Sequence, residues 1–86
     1  MHTVELYDAM KSFAETLGYQ VREENLGGIG GGPCEVAGRK CLFVDITLSS
    51  IERLDEVVRG IASDPMIHTA NPPREIQELL ELRRAA

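Results

Sequence analysis

The sequence predicts an α+β domain: a small three-stranded antiparallel sheet with helices packed mainly on one face, in the order helix, strand, hairpin, helix, helix. Apolar residues recur at three- and four-residue steps in segments near both ends of the chain, which marks amphipathic helices. The central stretch Gly27 to Leu48 passes from glycines through a tight turn into the most apolar run of the chain, which reads as a β-hairpin whose second arm is the core strand.

In the first segment, Leu6, Met10, Phe13, Ala14 and Leu17 share one face of a helix spanning Thr3 to Leu17, and Val4 and Tyr7 widen the stripe. Gly18 supplies the stop, because a residue without Cβ enters the left-handed conformation that satisfies the last carbonyls. Tyr19 and Val21 then alternate with Gln20 and Arg22, predicting a half-buried strand within Tyr19 to Leu26. The acids Glu23 and Glu24 suit an edge, where charge opposes pairing with another chain.

The stretch Gly27-Gly28-Ile29-Gly30-Gly31-Gly32-Pro33 invites a phosphate-cradling reading, since glycine lets successive N–H groups converge on an anion. The surrounding residues oppose it. A dinucleotide fingerprint leads into a helix and a P-loop ends in Lys followed by Ser or Thr, whereas Pro33 and Cys34 stand here before a strand. The structural reading is a wide turn with positive φ, or a close approach of another backbone or a partner. Ile29 is expected either to tuck back onto the sheet or to stand exposed for contact.

Glycine at Gly38 places the hairpin turn at Val36 to Arg39. A two-residue loop, Ala37-Gly38, sets Glu35 opposite Lys40 and Cys34 opposite Cys41; a three-residue bulged loop would shift that register. On the second arm Leu42, Val44 and Ile46 point one way, and Cys41, Phe43 and Asp45 the other. The first set is the face for helices to cover. A simple meander puts the first arm in the middle of the sheet, while the more apolar second arm favours that place for itself.

Ser49 and Glu52 form the S-x-x-E capping box of the next helix, Ser50 to Ala62, whose stripe is Ile51, Leu54, Val57, Val58 and Ile61. Ser63-Asp64-Pro65 ends it. Met66 to Ala70 is a short connection with Met66 and Ile67 expected to be buried. Asn71-Pro72-Pro73 opens the last helix, reaching Arg84, with Asn71 as its cap and Ile76, Leu79 and Leu80 on its inner face.

A chain of 86 residues with 43% hydrophobic and 27% charged content reads as one domain, residues 1–86. A domain this small buries only about 60 to 65% of its unfolded surface, so a second copy or a protein partner would supply needed burial. The net charge of −5 argues against nucleic acid and anionic membrane as partners, because both call for a basic field. The N-terminal MHTVELYDAM has acids where a secretory signal needs a basic region, and no run is long enough for a membrane span; the expectation is a cytoplasmic protein. Two cysteines there read as reduced thiols rather than a disulfide framework.

The pattern GGG-x-C-x-V-x-G-x-x-x-LFVD, followed by the capped helix and the late PPREIQELLE segment, resembles small bacterial proteins of unknown function across Gly30 to Leu82. The resemblance implies a bacterial cytosolic origin and carries no activity. The hairpin-then-helix order is also similar to the segment before the metal-binding helix of some minimal metallopeptidases, yet Ser50 to Ala62 holds no histidine and so no H-E-x-x-H.

No catalytic set, cofactor site or metal site is expected. The thiol and imidazole candidates for a metal are Cys34, Cys41, His2 and His68, and C-x6-C lacks knuckle spacing. Asp45, in the middle of an apolar strand, is expected to cap a nearby backbone group, pair with Arg39 or Lys40, or face solvent. The candidate interaction residues are therefore Ile29, Cys34, Cys41, Phe43 and Asp45. The expected function is a non-catalytic, self-associating or protein-binding module; the alternative is a small thiol- or metal-dependent protein using Cys34 and Cys41. The Cys41 and Phe43 face is left without an obvious cover from this chain, and a symmetric dimer would supply one.

Overall fold

The fold is α+β, with a three-stranded sheet and four helices, in a computed structural model that describes residues 2–85. Helix α1 (Thr3–Thr16) precedes strand β1 (Gln20–Glu24); β2 (Gly32–Val36) and β3 (Arg39–Asp45) follow, then α2 (Ser50–Ile61), a single turn α3 (Ile67–Ala70) and α4 (Arg74–Ala85). Gly18 takes φ of +98° after α1, as the stop signal requires. Ser49 caps α2 with both halves of the capping box formed.

The sheet order is β1-β3-β2, and β3 has the central place that its apolar sequence favours. The expected all-antiparallel sheet is corrected in one pairing: β2 and β3 form the antiparallel hairpin, but β1 runs parallel to β3. The reason lies in the connection. After β1 the chain crosses the C-terminal end of β3 through residues 25–31 and enters β2 on the far edge, so the hairpin returns β3 into the gap in the direction of β1.

The hairpin turn is the two-residue form, with positive φ at Ala37 (+51°) and Gly38 (+78°) as a type I′ turn demands. The register follows: Glu35 faces Lys40 and Cys34 faces Cys41.

One core joins the helices to one face of the sheet. Leu42 and Val44, fully buried, pack with Tyr7, Met10, Phe13 and Ala14 of α1, Leu54, Val57, Val58 and Ile61 of α2, and Ile76 and Leu80 of α4. Two tyrosine-centred clamps fix the helices at the rim of this face. Tyr7 Oη and Lys11 Nζ both donate to Glu23 of β1 (2.8 and 3.1 Å). Tyr19 Oη and Lys40 Nζ both donate to Asp64 (2.9 and 2.8 Å), and Lys40 also reaches the Leu17 carbonyl at the end of α1.

Several local expectations are revised: Val4 and Ile51, placed on the inner stripes of α1 and α2, are exposed at the first turns of those helices. Ile46 lies past the end of β3 and is exposed; α2 meets it there through Arg53, which donates to the Ile46 carbonyl, and not through its apolar stripe. Met66 is exposed while Ile67 is buried, since the single turn α3 presents only one of them inward. Asn71 takes the left-handed conformation that closes α3, so it does not cap α4, whose first turn starts from the Pro73 carbonyl.

Candidate functional site

Two places are built from the residues singled out in the sequence: the sheet face away from the helices, and the glycine loop that closes the end of β3.

Residues paired across the sheet point to the same side. The register therefore puts Gln20, Arg22 and Glu24 of β1, Cys41 and Phe43 of β3, and Cys34 and Val36 of β2 on one face. The helical partners described above all belong to the opposite parity: Val21, Glu23, Lys40, Leu42 and Val44. On the open face Cys34 and Val36 are exposed and Phe43 is half-buried. Cys41 is buried within it, between Gln20 on one neighbouring strand and Cys34 on the other. The Arg22 guanidinium lies 5.7 Å from the centre of the Phe43 ring and pairs with Glu24 at 2.8 Å, so charge of both signs borders the apolar centre.

Asp45 belongs to the same parity but not to the same surface. It is fully buried beneath the crossing loop. Its two oxygens accept from the backbone N–H groups of Leu26 (3.2 Å), Gly28 (2.8 Å), Gly30 (3.2 Å) and Thr47 (3.0 Å), and from Thr47 Oγ1 (2.7 Å). Of the three expectations for Asp45, backbone capping is the one realised; solvent and the basic residues of the hairpin are not its partners. Burial pushes its carboxyl up, but the donors of Thr47, Leu26 and Gly30 outweigh burial and hold it well below the usual carboxylate range.

A second carboxylate completes the loop. Glu56, buried on α2, accepts from Gly31 N–H through Oε2 and from Asp45 N–H through Oε1. The N–H groups that a phosphate would need are thus turned onto Asp45 and Glu56. The protein supplies its own anions to the nest, which excludes the phosphate cradle in this conformation. Gly31 also has to be glycine for space, because a Cβ there would fall on the Phe43 carbonyl, 2.5 Å from its carbon. Glu56 was not singled out from the sequence. Its signal is a charged residue beside the inward Val57 on the α2 stripe, a position that surface helices usually give to a solvated side chain.

Ile29 stands at the loop apex, 89% exposed, and shares a shallow groove with Leu48 and Ile51 at the start of α2. It is on a different surface from Phe43. The structure therefore brings Cys34, Cys41 and Phe43 together, buries Asp45 at the end of the same row under the crossing loop and sends Ile29 elsewhere.

Among the described residues no group of three or more His, Cys, Asp or Glu is placed to hold a metal ion, and no helix is long and apolar enough to cross a membrane. No family model, curated protein or solved structure matches the chain.

Proposed function

We propose that this protein is a non-catalytic module that associates with a second copy of itself through the open sheet face, in a bacterial cytoplasm. The observation that carries the reading is the one-sided packing. Leu42, Val44 and every helical clamp lie on one face, while among the described residues Cys34, Val36 and Phe43 on the other have no part in the core that the helices form. The face is self-complementary in charge, with Arg22 and Glu24 side by side at its border, which suits a two-fold arrangement in which each copy offers both signs. The resemblance to small bacterial proteins supports the setting.

The size of the face sets the strength. Three strands about 4.8 Å apart, with about five residues at roughly 3.3 Å each, present on the order of 250 Å² per copy. A standard stable interface buries about 800 Å² per partner, so the association is weak and depends on concentration.

Sedimentation or light scattering over a dilution series tests it. The wild type is expected to gain mass as concentration rises, and Phe43→Asp, folded by circular dichroism, to need about tenfold or more higher concentration for the same mass, because covering the remaining half of the Phe43 side chain in both copies contributes about 1.5 to 3 kcal/mol in total. A wild type that stays monomeric at the highest concentration overturns the reading.

A further inference from the structure

Beyond self-association, we infer that Cys34 and Cys41 form a thiol–disulfide exchange site in which Cys34 is the attacking thiol and Cys41 the resolving one. Two observations on the hairpin carry this, the register and the contrast in accessibility. The residues are directly opposed in the β2–β3 register and so share a face. Counting from the two-residue turn, Cys34 and Cys41 are a hydrogen-bonded pair, whose Cα atoms stand about 5.5 Å apart, inside the roughly 4.4 to 6.8 Å range that a disulfide spans. Their accessibility is opposite: Cys34 is exposed and Cys41 buried, 3% exposed.

That asymmetry assigns the order of events. A small disulfide in solution reaches the exposed sulfur of Cys34 and not that of Cys41. The Cys34 thiolate attacks one sulfur of the small disulfide, forming a mixed disulfide and releasing one small thiolate. Cys41, across the ladder, then gives its proton to the first released small thiolate as it attacks the Cys34 sulfur, expelling the second small thiolate. The two protein thiols are oxidised to one cross-strand bridge, and the small disulfide is reduced to two thiols. The closure falls on the outer half of an edge strand: Cys34 through Val36 of β2 are exposed, while the contact of β2 with α2 is made at its start, where Pro33 lies beside Gly60.

The site also lies beside Phe43, since Cys41 and Phe43 are successive residues on the open face. A second copy seated there would shield Cys34, so the chemistry is tested at concentrations where the wild type is monomeric by light scattering, which separates this inference from self-association.

The whole chain is reduced, freed of reductant and exposed to oxidised glutathione, with intact mass and peptide mapping over time. The wild type is expected to pass through a glutathione adduct on Cys34 and to end as a monomer with a Cys34–Cys41 bridge that reductant reverses. Cys41→Ala and Cys41→Ser should each stop at the Cys34 adduct, two substitutions guarding against one that fails to fold. Cys34→Ser should react more slowly than wild type by about tenfold or more, in line with the dependence of exchange on access. A wild type that ends as a stable adduct or as a disulfide-linked dimer, or a Cys34→Ser protein that reacts as fast as wild type, overturns the inference.

Discussion

The backbone N–H of Asp45 donates to Glu56 Oε1 at 3.1 Å, so the carboxylate that gathers the first half of the glycine loop is tied to the carboxylate that holds its end. Asp45 binds Leu26, Gly28 and Gly30, and Glu56 binds Gly31. Between them they fix the crossing that delivers β2 to the far edge of the sheet. The open face depends on this crossing, because β2 contributes Cys34 and Val36 to it.

Asp45→Asn keeps the size of the side chain but replaces one acceptor oxygen with a donor facing backbone N–H groups. The amide nitrogen leaves at least one buried donor without an acceptor, which costs about 1 to 3 kcal/mol, and at about 4 to 8 °C per kcal/mol the thermal midpoint is expected to fall by at least roughly 10 °C. Glu56→Gln should also destabilise. The two changes together should be less than additive because both release the same loop; additive midpoints in a double-substitution cycle would show that the carboxylates act independently.

The pH dependence follows from the same groups. Asp45, Asp64, Glu23 and Glu52 all have carboxyls held below their ordinary values in the folded chain. For Asp64, burial pushes up but Lys40, the Met66 N–H and Tyr19 prevail; for Glu23 the hydrogen bonds from Tyr7 and Lys11 lead; for Glu52 the Ser49 N–H leads. An unfolded chain binds protons at these sites first, so their contribution is present above about pH 4 and is lost as pH falls further. At the other end, burial, with Asp64 as hydrogen-bond acceptor, pushes the Tyr19 phenol up to about 12. Its contribution is complete below about pH 10 and is lost as pH rises toward the folded value. Urea midpoints measured from pH 2 to 11 should be flat between these limits, and Asp45→Asn should flatten the acid slope.

Gly31 and Gly28 separate space from backbone conformation. Gly31→Ala drives a Cβ into the Phe43 carbonyl, a backbone group that cannot turn aside, and should cost about 3 kcal/mol or more. At Gly28, φ is +86° and the added Cβ meets nothing within 4 Å, so Gly28→Ala should cost only the left-handed penalty of about 1 kcal/mol. Equal losses in urea denaturation would show that Gly31 is not the point of close approach.

Ala37 is the one residue of the hairpin turn ill-suited to its conformation. It holds φ of +51° with a Cβ, where Asn is favoured before glycine in a type I′ turn. Ala37→Asn should raise stability by about 0.5 to 1 kcal/mol while leaving the Cys34–Cys41 register intact. A loss of stability would mean that the turn is not the two-residue form.

The sequence by itself determined the three long helices, the three strands and most of the face each one buries, although Val4, Ile46 and Ile51 on those faces are exposed. Helical spacing around Met10 and Phe13, the Ser49–Glu52 box and the glycine at the hairpin turn are local signals, and local hydrogen bonding and side-chain periodicity suffice to realise them. The opposition of Cys34 and Cys41 was legible only as a condition on the turn, since a two-residue loop dictates it and a bulged loop would shift it; the folded turn is the two-residue form. What only the tertiary structure decided is how the strands sit relative to one another and where Asp45 looks. The direction of β1 beside β3 depends on the path of a glycine stretch that has no local preference of its own. That path is set by carboxylates at Asp45 and Glu56, eleven positions apart in sequence and joined only after α2 has packed on the sheet. A charge in an apolar strand is compatible with solvent, a salt bridge or a backbone nest, and the choice among them rests on which donors the folded chain brings to it.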